Sequence, residues 1–240
     1  MGNYFFNDER MNIARGLLKG VSDIHKFGAV PSMAVNTTGS VWDVSDTLYP
    51  WSSFSSASAV TVDRANASDA NKVITIIGLD ENYEAVTDTC TLTNATGNTT
   101  DGGTTFIRVF RAFVSTGATN VGNIDIKVST TIVARIIADM GQTLMAIYTV
   151  PAGYTAYLMR GIMTVAANAD ATGNMYVRYF GQDAFRIGHT FEVSGTGGLY
   201  DYEFSVPQVI PEKSDIDVRA TVRSNNARAT AAFDIILKQN

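Results

Sequence analysis

The sequence predicts an all-β protein: two antiparallel β-sandwich or jelly-roll-like domains preceded by a short N-terminal helical arm. Three observations carry this reading. From about Ala34 onward, apolar and polar residues alternate with period two. Clusters of Gly, Asn, Asp, Ser and Thr interrupt the alternation at short intervals, and no helical crossover pattern lies between the runs. Half-buried strands joined by turns select sandwiches and jelly rolls over a parallel α/β fold. A chain of 240 residues holds one large core or two small ones. Two are expected, residues 34–143 and 144–240, with 1–33 as the arm and the boundary near Gly141 to Ala146.

The arm comes first. Asn7 or Asp8 can cap a helix, Glu9 lies in its first turn, Met11, Ala14, Leu17 and Leu18 follow at helical spacing, and Gly20 supplies a stop. Such a segment either packs on its own domain or docks on a neighbouring subunit. Next, Lys72 to Ile77 alternates up to Gly78-Leu79-Asp80, and Glu84 to Leu92 returns as a threonine-rich strand, which predicts a hairpin. The run TTFIRVFRAFVS, Thr104 to Ser115, is apolar on both faces apart from Arg108 and Arg111, as in a covered central strand. The two arginines then point opposite ways.

In the second half, MAIYTVPAGYTAYLMRG (Met145 to Gly161) reads as two apolar, tyrosine-rich strands. Pro151 sits at the second position of a type I turn and Gly153 takes the left-handed conformation, predicting a hairpin over Val150 to Tyr154. Its apolar faces exceed what one small sandwich hides, so one face is expected to meet a second sandwich or another chain. Phe185, Ile187, His189, Phe191 and Val193 share one strand face. Ile216, Val218, Ala220 and Val222 oppose Asp215, Asp217, Arg219, Thr221 and Arg223, and Phe233, Ile235 and Leu237 repeat the pattern.

Composition narrows the function. Charged residues are 17% of the chain, the net charge is −5 and the pI is near 5.0, which argues against phosphate-backbone binding and so against a nucleic-acid partner. The single cysteine, Cys90, excludes an intramolecular disulfide and points to synthesis in a reducing compartment. No window approaches the ~18 apolar residues of a membrane span, and no basic-then-apolar leader is visible, so a soluble chain without membrane contact is expected. The Asn-x-Ser/Thr sequons at Asn36, Asn66, Asn94 and Asn98 carry no weight in so Asn- and Thr-rich a chain.

Candidate chemistry is sparse. The histidines are His25 and His189, and His189, on an apolar strand face, reads as a hydrogen-bonded core residue. Cys90 among threonines reads as a small buried hydrophobe. No nucleophile elbow, phosphate loop or dinucleotide fingerprint occurs. Asp80, Glu81 and Glu84 fit a solvated hairpin tip better than a calcium site. Asn168, Asp170, Thr172 and Asn174 alternate but lack the closing Glu and the Gly spacing of a calcium loop. No catalytic residue, metal or cofactor is expected. Trp42, Tyr49 and Trp51, with Asp43 and Asp46, can stack on and hydrogen-bond a host-surface glycan, or anchor an interface, or cap the core.

Taken in series, RMNIARGLLKGVSDIHKFG, VWDVSDTLYPW, SSASA, IIGLDENYEAVTDTCTL, FIRVFRAFV, IYTVPAGYTAYL and PEKSDIDVRA resemble a type of virion structural protein common in tailed bacteriophages. The resemblance spans most of the chain and rests on structural turns and strands. It implies a non-enzymatic β-sandwich component of the particle, made in the bacterial host cytoplasm, and brings no catalytic residues. A capsid-bound decoration or cementing protein is expected, a homotrimer partnered by itself and by the major capsid protein, with a neck or tail component as the alternative. The interface anchors expected are Met11, Leu17, Leu18, Trp42, Tyr49, Trp51, Tyr148 and Tyr157.

Overall fold

The structure is a computed structural model and describes residues 9–44, 46–166, 168–195 and 198–240. It is nearly all β. Helix α1 (Glu9–Ala14) leads into β1 (Val21–Met33) and β2 (Thr38–Ser40). A single helical turn, Trp51–Phe54, precedes β3 (Ser58–Ala59), β4 (Thr61–Arg64), β5 (Val73–Leu79), β6 (Ala85–Thr91), β7 (Asn98–Thr99), β8 (Thr105–Phe106), β9 (Arg108–Val114), β10 (Ile124–Val128) and β11 (Thr131–Ile136). The chain finishes with β12 (Ile147–Thr149), β13 (Tyr154–Val165), β14 (Ala171–Arg178), β15 (Arg186–Val193), β16 (Leu199–Ile210), β17 (Asp215–Val222) and β18 (Ala227–Gln239).

Two antiparallel sheets form the C-terminal sandwich, one ordered β1-β18-β13-β16 and the other β12-β17-β14-β15, with β2 continuing the β12 edge beside β17. Their facing side chains interlock. Gly161 on β13 leaves room for the Phe191 ring, which would lie 2.8 Å from an added Cβ, and Gly173 on β14 leaves room for Met163. Phe233, Ile235 and Leu237 are buried, as their alternation requires, and each contributes roughly 1.5–3 kcal/mol by leaving water. The preceding sandwich pairs β11-β10-β4-β7 with β6-β5-β9, and the short pair β3-β8 flanks it. The β5-β6 hairpin forms in the expected place, with Asp80 accepting the backbone N–H groups of Asn82 and Glu84 at its tip. Buried apolar residues of both sandwiches join in one continuous core.

Four local expectations are corrected. The helix stops at Gly16 (φ 68°) rather than Gly20, because the Leu17 N–H reaches back to the Asn12 carbonyl and closes the end of the helix there. Its expected caps, Asn7 and Asp8, lie outside the described residues. Residues 21–33, assigned to the arm, are the edge strand β1. Its inward positions are Ile24, Lys26, Gly28 and Val30, so a lysine and a glycine dilute the alternation that marks a strand. The third correction concerns Val150 to Tyr154, which is a corner between sheets and not a hairpin. β12 pairs with β17 and β13 with β18 and β16, while the Tyr154 N–H donates to the Pro151 carbonyl, making Pro151 the first residue of the turn. Lastly, Asp215 and Asp217 are buried, because β17 is covered on both faces.

Strand β16 is irregular. Glu203 pairs with Arg160 and Gln208 with Leu158, so the stretch Phe204 to Pro207 stands opposite Met159 alone.

Candidate functional site: junction and contact surfaces

The aromatic segment from Trp42 to Phe54 is placed between the two sandwiches. Tyr49 packs edge-on against Trp42 (5.1 Å between ring centroids) and Trp51 (4.7 Å), and Trp51 in turn meets Phe185 (5.5 Å). Each polar tip finds an internal acceptor. The Trp42 indole donates to the Thr47 carbonyl (3.0 Å), the Tyr49 hydroxyl to the Val109 carbonyl (3.0 Å) and the Trp51 indole to Asp217 (3.1 Å). Burial pushes the Tyr49 hydroxyl pKa far above its usual value. Tyr148 closes the other side, its ring 4.9 Å from that of Phe110.

Trp42 is only 2% exposed and Trp51 8%, and Tyr49 and Tyr148 are equally enclosed. These four therefore anchor a junction inside the chain, correcting the expectation that they anchor contacts with another subunit. The sugar-stacking expectation is corrected with them, since a ring that is to stack on a glycan must face solvent. The physical reason is area: large aromatics with a nearby internal acceptor gain more from enclosure than from exposure.

Charged groups lock the same junction. Arg108 of β9 and Arg178 of β14 both converge on Asp215 of β17. Arg108 Nε lies 2.8 Å from Oδ1, Arg178 Nε 2.9 Å from Oδ2, and the Thr149 hydroxyl donates to Oδ1 at 2.6 Å. Burial opposes the Arg108 charge, yet its hydrogen bonds to Asp215 hold its pKa above the ordinary arginine value. Arg108 and Arg178 also lie over the Trp51 ring, at 5.4 and 5.5 Å, and Arg219 lies 4.7 Å from the Phe185 ring. Asp217 accepts from Arg219 Nε at 2.8 Å. Asp43, also buried, accepts the Leu144 N–H, and burial raises its pKa to about 7.

The remaining predicted contact residues face outward. Leu17 is 66% exposed, Met11 and Leu18 are exposed, and Tyr157 is half-buried. Helix α1 buries none of its residues and is tied down by the Arg10–Glu203 ion pair to β16. The sequence reading missed a second outward-facing set. β15 and β16, the last strands of the two facing sheets, lie next to each other and expose Ile187, Leu199, Tyr202, Val206 and Val209. Ile187 shares its strand face with Phe191 and Val193, yet β15 buries only that far end.

Groups capable of chemistry are dispersed. His189 hydrogen-bonds the Tyr200 hydroxyl at 3.1 Å among the rings of Phe191, Tyr202 and Phe204, and partial burial lowers its pKa. Asp170 accepts the Gly195 N–H and the Ser224 hydroxyl, fastening loops. Among the described residues no group of three or more His, Cys, Asp or Glu side chains is placed to hold a metal ion, and no helix is long and apolar enough to cross a membrane.

No family model and no curated protein matches this chain. Among solved structures, the chain overlaps Cowpea mosaic virus top component, naturally occurring empty particles, at TM-score 0.23 and 8% identity, over 77% of this chain and 83% of that one. It overlaps the infectious bursal disease virus VP2 subviral particle at TM-score 0.23 and 10% identity, over 93% and 73% of the respective chains. The infectious bursal disease virus Gt strain gives TM-score 0.18 and 11% identity over 92% and 78%. Overlaps this low establish neither a common fold nor a common role.

Proposed function

We propose that this chain is a non-enzymatic structural component of a virus particle, most simply a capsid-bound decoration or cementing protein that acts through contact surfaces. The observation that carries the reading is the set of apolar side chains Ile187, Leu199, Tyr202, Val206 and Val209, exposed on two adjacent edge strands while the reactive side chains are scattered or buried. Exposed large apolar side chains gathered on two adjacent edge strands suit an association surface. The resemblance of its motif series to tailed-phage virion proteins supports the same role. In this reading three copies associate through the β15–β16 flank, and the arm, with Met11, Leu17 and Leu18, reaches the major capsid protein. A neck or tail position uses the same surfaces. The two sandwiches act as two domains divided between Gly141 and Ala146, with β1 and β2 crossing back to the second.

Light scattering on the purified chain tests the association. A trimer is expected that dissociates when Leu199→Lys and Val206→Lys are combined, with the β-sheet circular dichroism unchanged. A wild-type chain that stays monomeric at high micromolar concentration and fails to join particles defeats the reading.

A further inference from the structure

A cleft of about 550 Å³ opens between β1 and the first sandwich, beneath the Pro151 corner. Its walls are largely apolar, formed by Ile77, Phe110, Tyr148 and Leu237. Lys26 enters it from the inward face of β1. This side chain is about nine-tenths buried and donates from Nζ to the Phe110 carbonyl at 2.5 Å, so one of its three N–H donors is occupied by that bond. Arg111, on the opposite wall, bonds the Gln142 side chain at 3.3 Å and repels Lys26. Nearby, His25 hydrogen-bonds Asp234, and Asp23 lines the cleft without pairing to either cation. Among the described residues no carboxylate forms an ion pair with Lys26 or Arg111. A buried ammonium facing a second cation across apolar walls is a costly arrangement that an anion relieves.

We propose that this cleft binds a small amphiphilic carboxylate, its apolar body against the wall formed by Ile77, Phe110 and Tyr148 and its carboxylate between Lys26 and Arg111. The volume suits a ligand of two or three rings. A single negative charge is favoured over a phosphate dianion, because each added charge must shed its water in an apolar slot. Burial lowers the free Lys26 pKa to about 7. The carboxylate prefers the protonated amine, so binding takes up a proton above that pH and affinity falls by up to tenfold per pH unit until the bound-state pKa is passed.

Calorimetric titration of the full chain with 2-naphthoate, against the neutral 2-naphthalenemethanol, tests this. Saturable one-to-one binding of the carboxylate is expected at pH 6, at least tenfold weaker at pH 9, with proton uptake at pH 8 revealed by buffers of different ionisation enthalpy. Lys26→Met should reduce naphthoate binding to the level of the alcohol, and Arg111→Gln, at an exposed position, should weaken it several-fold at pH 6. Equal binding of acid and alcohol to the wild-type chain, or pH-independent binding, overturns the proposal without need of any variant. So does unchanged affinity in a folded Lys26→Met protein.

Discussion

Arg108 and Asp215, 107 residues apart in sequence, face each other across the junction with Nε–Oδ1 and Nη2–Oδ2 distances of 2.8 and 3.1 Å. The pair joins β9 of one sandwich to β17 of the other, and both partners are almost wholly buried. Their consequences are unequal, because Asp215 also satisfies Arg178 and Thr149 whereas Arg108 has carbonyl acceptors at Phe54 and Ile107.

Asp215→Asn should therefore cost more than Arg108→Met. The first leaves two arginines without a counter-charge, a loss of about 3–5 kcal/mol for a broken buried pair. The second leaves Asp215 still paired with Arg178 and should cost about half as much. Urea unfolding followed by tryptophan fluorescence measures both, and equal losses contradict the asymmetry.

Stability should pass through a minimum near pH 7. The Asp43 pKa is raised by burial from 3.8 to about 7, so between those values the folded state holds the proton more tightly and stability falls as pH rises. Lys26 is shifted the other way, from 10.5 to about 7, so between pH 7 and 10.5 the unfolded state binds more protons and stability rises with pH. Each limb has a slope of at most about 1.4 kcal/mol per pH unit. Thermal melts across pH 4–10 should lose the falling limb in Asp43→Asn and the rising limb in Lys26→Met.

Gly28 should tolerate alanine less well than Gly173. A Cβ at Gly28 would sit 2.3 Å from the Ala146 nitrogen and the Val41 oxygen, both backbone, where β1 crosses the junction. At Gly173 the obstacle is the thioether of Met163, which can turn aside. Gly28→Ala is expected to cost more than about 2 kcal/mol and Gly173→Ala roughly 1 kcal/mol. Denaturant midpoints decide the order.

Cys90 should be inert in the native chain. It is fully enclosed, and burial, reinforced by Asp101 and Asp88, raises its thiol pKa to about 12. A disulfide reagent at pH 8 should label it only at the rate of unfolding and completely in denaturant. Prompt native labelling contradicts the burial.

The regular part of the fold was legible because strand period and turn chemistry act locally. The β5-β6 hairpin and β18 followed from alternation, whereas the opposite directions expected for Arg108 and Arg111 did not hold: a register shift places Arg108 opposite Leu79 and Arg111 opposite Ile77, so both stand on one face of the sheet. What escaped was set by partners distant in sequence. Asp215 and Asp217 alternate with apolar residues as surface carboxylates do, and only the arginines and Trp51 that cover them make them interior. Trp42 and Trp51 are conspicuous in the sequence, but sequence cannot tell a tryptophan that faces a ligand from one that faces another part of the chain. In β16, apolar residues stand outward at Val206 and Val209, and no period announces that.

The irregular stretch Phe204 to Pro207 limits how another strand could meet the β16 edge. Pro207 has no amide hydrogen to offer, and the loss of step with Met159 turns the neighbouring backbone groups out of line. A newcomer therefore cannot extend the sheet by adding a strand there and must instead be recognised through side-chain shape.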